Sequence, residues 1–91
     1  MDKEVLYQKA IQKHGEKGQL LQAAEECTEL AQAIIKYVNN RGPECDIEEE
    51  AADVEIMVEQ LRLILNYRRI NGHKDVKIHR LARNTEGDNH D

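Results

Sequence analysis

The chain has 91 residues, about the size of one small domain, and 34% of them are charged. Its formal net charge of −5 disfavours general nucleic-acid binding, because that binding neutralises phosphates with Lys and Arg. No apolar run approaches the roughly 20 residues of a membrane span, and Cys27 and Cys45 lack the spacing of a zinc site or disulfide framework, so we expect a cytoplasmic protein with reduced thiols.

Helix-breaking residues divide the chain into four helical segments. The breaks are Gly15 and Gly18, the stretch NNRGPECD at 39–46, and Asn71 with Gly72. The pattern therefore predicts helices over residues 3–14, 18–38, 47–70 and 74–83. No stretch alternates with period two, so we predict no strands. We expect a single all-α domain over residues 1–84 and a polar, disordered tail over 85–91.

The second predicted helix has one apolar face and two acids beside it. With 100° per residue, the face collects Leu20, Ala23, Ala24, Cys27, Leu30, Ala31, Ile34 and Val38. Glu26 lies at the margin of this face, and Glu29 lies one step further round. Because they are at positions i and i+3, their side-chain bases are about 5–6 Å apart. Glu25 lies further round still.

The third predicted helix has two apolar stripes on nearly opposite sides. One is Ile47, Ala51, Val54, Val58, Leu61 and Leu65, and the other is Ala52, Ile56, Leu63, Tyr67 and Ile70. A helix buried on two sides must be central, with one stripe packed in its own chain and the other against a second copy. The chain has no Phe or Trp with which to build a core, and we expect a dimer or a dimer of dimers.

The start of the third helix carries acids of two kinds. Asp46 is in position to cap the helix, with Glu49 three residues later to complete a capping box. Glu50 and Asp53, at i and i+3, lie instead on a flank between the two apolar stripes. Acids of the first kind need no functional explanation, because the N-terminus of a helix favours negative charge.

The two carboxylate pairs, Glu26 with Glu29 and Glu50 with Asp53, face each other if these helices run antiparallel. Their positions along the two helix axes match only roughly, because Glu29 lies about ten residues before the loop and Glu50 lies about four residues after it. Four carboxylates in one half-buried site would repel each other unless a divalent cation neutralised them. Oxygen ligands favour Mg²⁺ or Mn²⁺ over zinc, and neither pair has the Glu-x-x-His of a di-iron site. The alternative interpretation is ordinary solvated acids.

These acids belong to motifs that resemble those of a known family. EECTEL at 25–30, followed by EAAD at 50–53, resembles the EExxE and ExxD motifs of MazG-like nucleoside triphosphate pyrophosphohydrolases, which are related to dimeric dUTPases. Gly15, Gln19 and Lys36 are similar to that family's G-x-x-x-Q stretch and its later Lys. KIHRLAR at 77–83 looks like its closing basic helix.

The resemblance implies a four-helix MazG-like bundle that hydrolyses an NTP or dNTP to the monophosphate and pyrophosphate. By position, Glu26, Glu29, Glu50 and Asp53 would be the Mg²⁺ ligands, with Mn²⁺ as an alternative ion. Glu25 would be an accessory acid. A metal-activated water would attack the α-phosphorus, and Glu26 or Glu29 would take its proton.

The substrate contacts are assigned to basic residues outside the acid pairs. Lys77 and Arg80 are the first choice for the phosphates, followed by Lys36 and Arg83. Gln19 is assigned by the motif, and His14 stands where the family often has an aromatic residue.

Other functions stay open. The chain has no Gly-rich P-loop, so a Walker-type hydrolase is not expected. The alternatives are a non-catalytic helical oligomer and a sensor that binds metal or nucleotide without turnover.

Overall fold

The computed structural model describes residues 1–87, and this part of the chain contains four α-helices and no strand. The helices are α1 (Lys3–His14), α2 (Glu16–Val38), α3 (Glu44–Ile64) and α4 (Tyr67–Ala82), and a π-helical turn (Arg83–Gly87) follows them. The all-α prediction is confirmed. The π-helical turn includes residues 85–87, which the sequence assigned to the tail, and residues 88–91 lie outside the described part.

The junction of α1 and α2 is a single glycine. The Asp2 side chain starts α1 by accepting hydrogen bonds from the backbone N–H of Glu4 and Val5, and α1 ends where the sequence predicted. Gly15 then takes a positive φ of 80°, a conformation that glycine adopts without steric cost. One residue is enough to turn the chain, so α2 begins at Glu16 rather than at Gly18.

The start of α3 differs from the prediction. The helix begins at Glu44, directly after the extended Pro43, and no side chain caps it. Asp46 already lies inside the first turn, where its backbone N–H donates to the Pro43 carbonyl over 3.2 Å. The predicted capping box of Asp46 and Glu49 is therefore wrong, although Glu44 and Asp46 still place negative charge at the helix start.

The predicted third helix, 47–70, is divided in two at Leu65 and Asn66. Leu65 is extended, and the Asn66 side chain accepts hydrogen bonds from the backbone N–H of Arg68 and Arg69. Asparagine competes with the backbone for hydrogen bonds inside a helix but is among the best N-caps. It therefore ends α3 and starts α4 at Tyr67.

The predicted break at Asn71 and Gly72 is also wrong, because both residues lie within α4. One glycine costs a helix only about 1 kcal/mol. The Asn71 side chain accepts a hydrogen bond from the Arg62 guanidinium of α3, so its polar group is used across the helix junction. The prediction of a separate fourth helix over 74–83 is replaced by the longer α4.

The most extensive contact in the structure joins α2 to α3, and α3 also contacts α1 and α4. Tyr7 and Lys3 of α1 attach to α3 through one residue, because both bind the Glu59 carboxylate. No helix within residues 1–87 is long and apolar enough to cross a bilayer.

The contact between α2 and α3 uses the apolar faces that periodicity predicted only in part. Ala23 of the predicted α2 face is buried, and four of the six residues of one predicted α3 stripe are half-buried. The buried residues among those described are Gln19, Ala23 and Ala33 of α2 with Met57 and Gln60 of α3. Met57 and Gln60 lie on the flank of α3 that carries Glu50 and Asp53. Periodicity identifies apolar stripes but cannot say which of them its own chain covers.

Much of the predicted apolar surface remains open to solvent. The large members of the predicted faces with at least 39% of their surface exposed are Leu20, Ile34, Val38, Ile56, Val58, Leu65 and Tyr67. The Cα radius of gyration is 16.7 Å, against about 12 Å for a compact domain of this length. The single chain is thus an open arrangement of helices around a small, partly polar contact.

Replacing Asn66 with Ala should loosen the first turn of α4. The substitution removes the acceptor for two backbone N–H groups, which typically costs about 1 kcal/mol. We expect amide hydrogen exchange over residues 68–72 to become several-fold faster, as measured by NMR. Asp2→Ala is the matched control, since it should affect only the start of α1. Unchanged exchange over 68–72 would contradict the capped junction described here.

Candidate metal centre

Antiparallel packing of α2 against α3 brings three glutamates from two helices to one place. Glu26 and Glu29 come from α2, and Glu50 comes from α3. One carboxylate oxygen of each lies within 4.8 Å of the others. The loop at 39–43 is short enough to keep the helices adjacent, so residues that are 21 positions or more apart in sequence share one site.

The three carboxylates have unequal exposure. Glu26 and Glu50 are half-buried between the helices, whereas Glu29 is exposed at the edge. The Oε1 atoms of Glu26 and Glu50 are buried and form no hydrogen bond within the described chain. Glu26 Oε2, by contrast, accepts a hydrogen bond of 2.7 Å from Gln22 Nε2. Two buried acceptor atoms without a donor are unusual, because buried polar groups are normally paired.

The crowding of negative charge changes the acidity of Glu29. The charge of Glu26 is the largest cause that raises the pKa of Glu29 above its ordinary value. Partial desolvation, the charge of Glu50, a hydrogen bond with Glu26 and the charge of Glu25 raise this pKa further. The three-acid cluster is therefore an electrostatically unfavourable arrangement when all of its members are ionised.

The donor set fits a hard divalent cation. It consists of carboxylate oxygens alone, which suit Mg²⁺, Mn²⁺ or Ca²⁺ rather than zinc. A cation in the cluster would offset the repulsion and supply a partner for the buried Oε1 atoms of Glu26 and Glu50. These two atoms are what distinguish the cluster from a solvated acidic patch, in which every carboxylate reaches water.

Two predicted acids stand outside the cluster. Asp53 is exposed on α3, one turn beyond Glu50, and it does not join the three converging carboxylates. Glu25 is exposed on α2, but its charge contributes to the raised pKa of Glu29. The structure thus brings together both members of the predicted α2 pair, Glu26 and Glu29, with only Glu50 of the predicted α3 pair.

The residues assigned to substrate binding are dispersed. Gln19 is buried and donates a hydrogen bond to Gln60, so its amide faces α3 rather than an open cleft. His14 is exposed at the end of α1, and Lys36 is exposed on α2. Lys36 follows Glu29 by seven residues and so lies about 10 Å further along the same face.

The basic residues Lys77, Arg80 and Arg83 are not near the acid cluster in this chain. They lie on α4 and the π-helical turn, and α4 contacts α3 but not α2. Negative charge is accordingly concentrated in the first three helices, and positive charge is concentrated in α4 and the turn after it. Residues 1–66 contain fourteen Asp and Glu against seven Lys and Arg, whereas residues 67–87 contain six Lys and Arg against two Asp and Glu.

Sequence reasoning missed two glutamines, one that bonds an acid of the cluster and one further along the contact between α2 and α3. Gln22 bonds Glu26, and Gln60 bonds Gln19. The signal for Gln22 was its i, i+4 relation to Glu26 on one helix. The signal for Gln60 was its place on the same flank of α3 as Glu50 and Asp53, but only the packing shows that this flank faces α2.

Comparisons with protein families, with curated proteins and with solved structures found no match for this chain. The likeness to MazG-like enzymes accordingly rests on the sequence motifs alone, and the chemical interpretation of the site rests on its geometry.

Replacing Glu29 with Gln should stabilise the metal-free protein at neutral pH. Its raised pKa means that the folded chain binds the Glu29 proton more tightly than the unfolded chain does. That stabilisation is present below pH 4.5 and is lost as the pH rises from 4.5 through the raised folded value. In EDTA, Glu29→Gln should therefore raise Tm at pH 7 and weaken the decline of Tm between pH 4.5 and 7.

Glu48→Gln is the control for this experiment, since Glu48 is an exposed acid on α3 outside the cluster. It should leave the slope of Tm against pH nearly as in the unmodified protein. Equal effects of the two substitutions would mean that the cluster carries no special repulsion.

Proposed function

We propose that the chain is a Mg²⁺-dependent nucleoside triphosphate pyrophosphohydrolase of the MazG-like type. The observation that carries the proposal is the convergence of Glu26, Glu29 and Glu50 within 4.8 Å, with buried carboxylate oxygens that have no protein partner. The same acids belong to the EECTEL and EAAD motifs. Three of the four acids that the motifs suggest as ligands are thus the ones that converge.

The proposed roles of the acids follow from their exposure, with the half-buried acids binding the metal and the exposed acid accepting a proton. Glu26 and Glu50, which are half-buried, would hold Mg²⁺, or Mn²⁺, and Asp53 stands one turn away on α3 to complete the ligand set. A bound Mg²⁺ supplies Lewis-acid chemistry, because it neutralises phosphoryl charge and makes a nearby water more acidic. Glu29, at the solvent edge with a raised pKa, is suited to accept the proton of that water.

The reaction balances without a covalent enzyme intermediate. Water attacks the α-phosphorus of a nucleoside triphosphate as the bond from that phosphorus to the bridging oxygen breaks. The monophosphate and pyrophosphate leave, and the proton of the water passes to Glu29. Glu25 stays at the edge of the cluster as an accessory acid whose charge helps to raise the pKa of Glu29.

The cationic partners for the phosphates are proposed on α4 and the turn after it, at Lys77, Arg80 and Arg83, with Lys36 on α2. Since α4 does not contact α2 in one chain, its cations would reach the acid cluster in an assembly where α4 of one copy meets the α2–α3 pair of another.

Several features support a homodimer or homotetramer. The accessible surface of the chain is 7239 Å², whereas a compact monomer of 10.5 kDa exposes about 5,400 Å². Among the described residues no large side chain is fully buried. The exposed apolar residues of α2 and α3 would be covered by a second copy, which would supply the core that a single chain lacks.

Turnover of nucleotides tests the enzymatic proposal. The protein is incubated with each ribo- and deoxyribonucleoside triphosphate and Mg²⁺ in H₂¹⁸O. The products are then separated, and the mass of each is measured by mass spectrometry. We expect pyrophosphate release with ¹⁸O in the monophosphate, because attack is at the α-phosphorus. Glu50→Gln should reduce kcat by about a hundredfold or more, whereas Glu48→Gln should leave it unchanged.

The outcomes separate the candidate functions. Thermal stabilisation by Mg²⁺ with nucleotide binding but no hydrolysis would indicate a sensor. The absence of both turnover and Mg²⁺ stabilisation, in a folded protein, would contradict the metal site as well as the enzyme.

The assembly is tested by placing a charge on its proposed surface. Ile34 is 42% exposed on the outer side of α2, so Ile34→Glu should be tolerated by a single chain but should disrupt contact between copies. Light scattering after gel filtration should give a dimer or tetramer for the unmodified protein and a smaller species for the variant. Gln32→Glu, at an exposed polar position of the same helix, should not change the mass.

A further inference from the structure

The contact between α2 and α3 contains one buried hydrogen bond between side chains. Gln19 Nε2 donates to Gln60 Oε1 over 2.7 Å, and these side chains are only 6% and 5% exposed. Gln60 Nε2 lies 3.8 Å from the Met57 sulfur, which is a weak acceptor. If the helices slipped past each other, two amide groups would be buried without this partner, which is costly.

The buried apolar residues of the same contact do little to fix the axial position of α2 relative to α3. Its buried members are Ala23, Ala33 and Met57. Alanine side chains are short and alike along a helix, and methionine is flexible enough to fill gaps of different shape. The acids between these residues repel one another. A second side-chain hydrogen bond joins the two helices, because the Tyr37 hydroxyl donates to Glu44 over 3.4 Å, but this bond is long and exposed. The glutamine pair is therefore the buried directional interaction that distinguishes one axial level of α2 against α3 from the next.

The spacing along the two helices connects this pair to the acid cluster. Glu29 follows Gln19 by ten residues, and Glu50 precedes Gln60 by ten residues. Ten residues span about 15 Å of either helix. Because the helices are antiparallel, the bond that holds Gln19 level with Gln60 also holds Glu29 level with Glu50. By the same rule Glu26 and Asp53, both seven residues away, share a level.

We infer that the Gln19–Gln60 hydrogen bond sets the axial register of α2 against α3 and thereby brings the carboxylates of Glu26, Glu29 and Glu50 together at one site. Gln19 and Gln60 are then positioning residues and do not touch the substrate. A slip of one residue moves a helix by about 1.5 Å and turns its side chains by about 100°, which would separate the three acids. That this site binds a cation rests on the proposed function, whereas the statement about the register does not.

Methyl signals provide a direct test of the register. The chain has only two methionines, so methionine labelled with ¹³C in its methyl group gives Met57 as the reporter and exposed Met1 as the internal reference. A labelled Ala33 methyl reports on the far end of the contact, about 21 Å along α2 from Gln19. In the unmodified protein we expect one Met57 signal and one Ala33 signal without exchange on the microsecond to millisecond scale.

The test variant is Gln19→Leu with Gln60→Leu, which removes both polar partners and keeps a similar volume. Its Tm should be equal or higher, since no buried amide is left unpaired. Its Met57 and Ala33 signals should nevertheless split or show exchange, because several registers become accessible. Gln32→Leu, at an exposed glutamine of α2, should leave both signals single. Single, exchange-free signals in the double variant would overturn the inference.

A measurement on the unmodified protein tests whether the Gln19–Gln60 hydrogen bond persists in solution, even if the double variant does not fold. The side-chain amide protons of Gln19 should exchange with solvent far more slowly than those of exposed Gln32. Equal exchange rates would mean that the hydrogen bond does not persist in solution, and the inference would fail.

Mn²⁺ affinity, measured by electron paramagnetic resonance, connects the register to the site. The double leucine variant should bind Mn²⁺ several-fold more weakly, because only the fraction of molecules in the native register then holds the three acids together. Split methyl signals with unchanged Mn²⁺ affinity would overturn the positioning role. Failure of the unmodified protein to bind Mn²⁺ would instead count against the proposed function, while the methyl signals would still decide the register.

Discussion

The structure depends on one contact, in which α2 and α3 meet through faces that are partly polar. Gln19 and Gln60 pair inside it, and Glu26 and Glu50 lie within it with buried oxygens that lack protein donors. Residues that would normally be avoided in a helix interface thus occupy the centre of this one. The candidate site therefore belongs to the same contact that holds the helices of the chain together. Part of the predicted apolar stripes, including Ile34, Ile56 and Val58, remains exposed.

Local features of the sequence predicted local structure well. The bounds of α1 follow from Asp2 and Gly15, and the i, i+3 spacing correctly placed Glu26 beside Glu29. The division between α3 and α4 was not predicted, because Asn71 with Gly72 is a stronger breaking signal than Asn66 alone. Asn66 acts through the hydrogen bonds that it makes, and Asn71 is retained in α4 through its bond with Arg62.

Long-range features were predicted only in part, because periodicity describes each helix by itself. It placed Glu50 on a flank of α3 but could not show that this flank faces α2. It also left the levels of the acid pairs unresolved, since the loop at 39–43 gives no exact register. That information is carried by Gln60, a residue whose type suggests an ordinary polar surface. Asp53 was predicted at the site by its spacing but remains exposed beside it.

The separation of charge along the chain has a consequence for how it meets other molecules. An acidic region over residues 1–66 and a basic α4 give the molecule a permanent electric dipole. Cations are drawn towards one end, and anions, including polyphosphates, towards the other. In physiological salt this field fades over about 8 Å, so it orients a partner only in the last steps of an encounter. Association with small ions should therefore slow as salt is added.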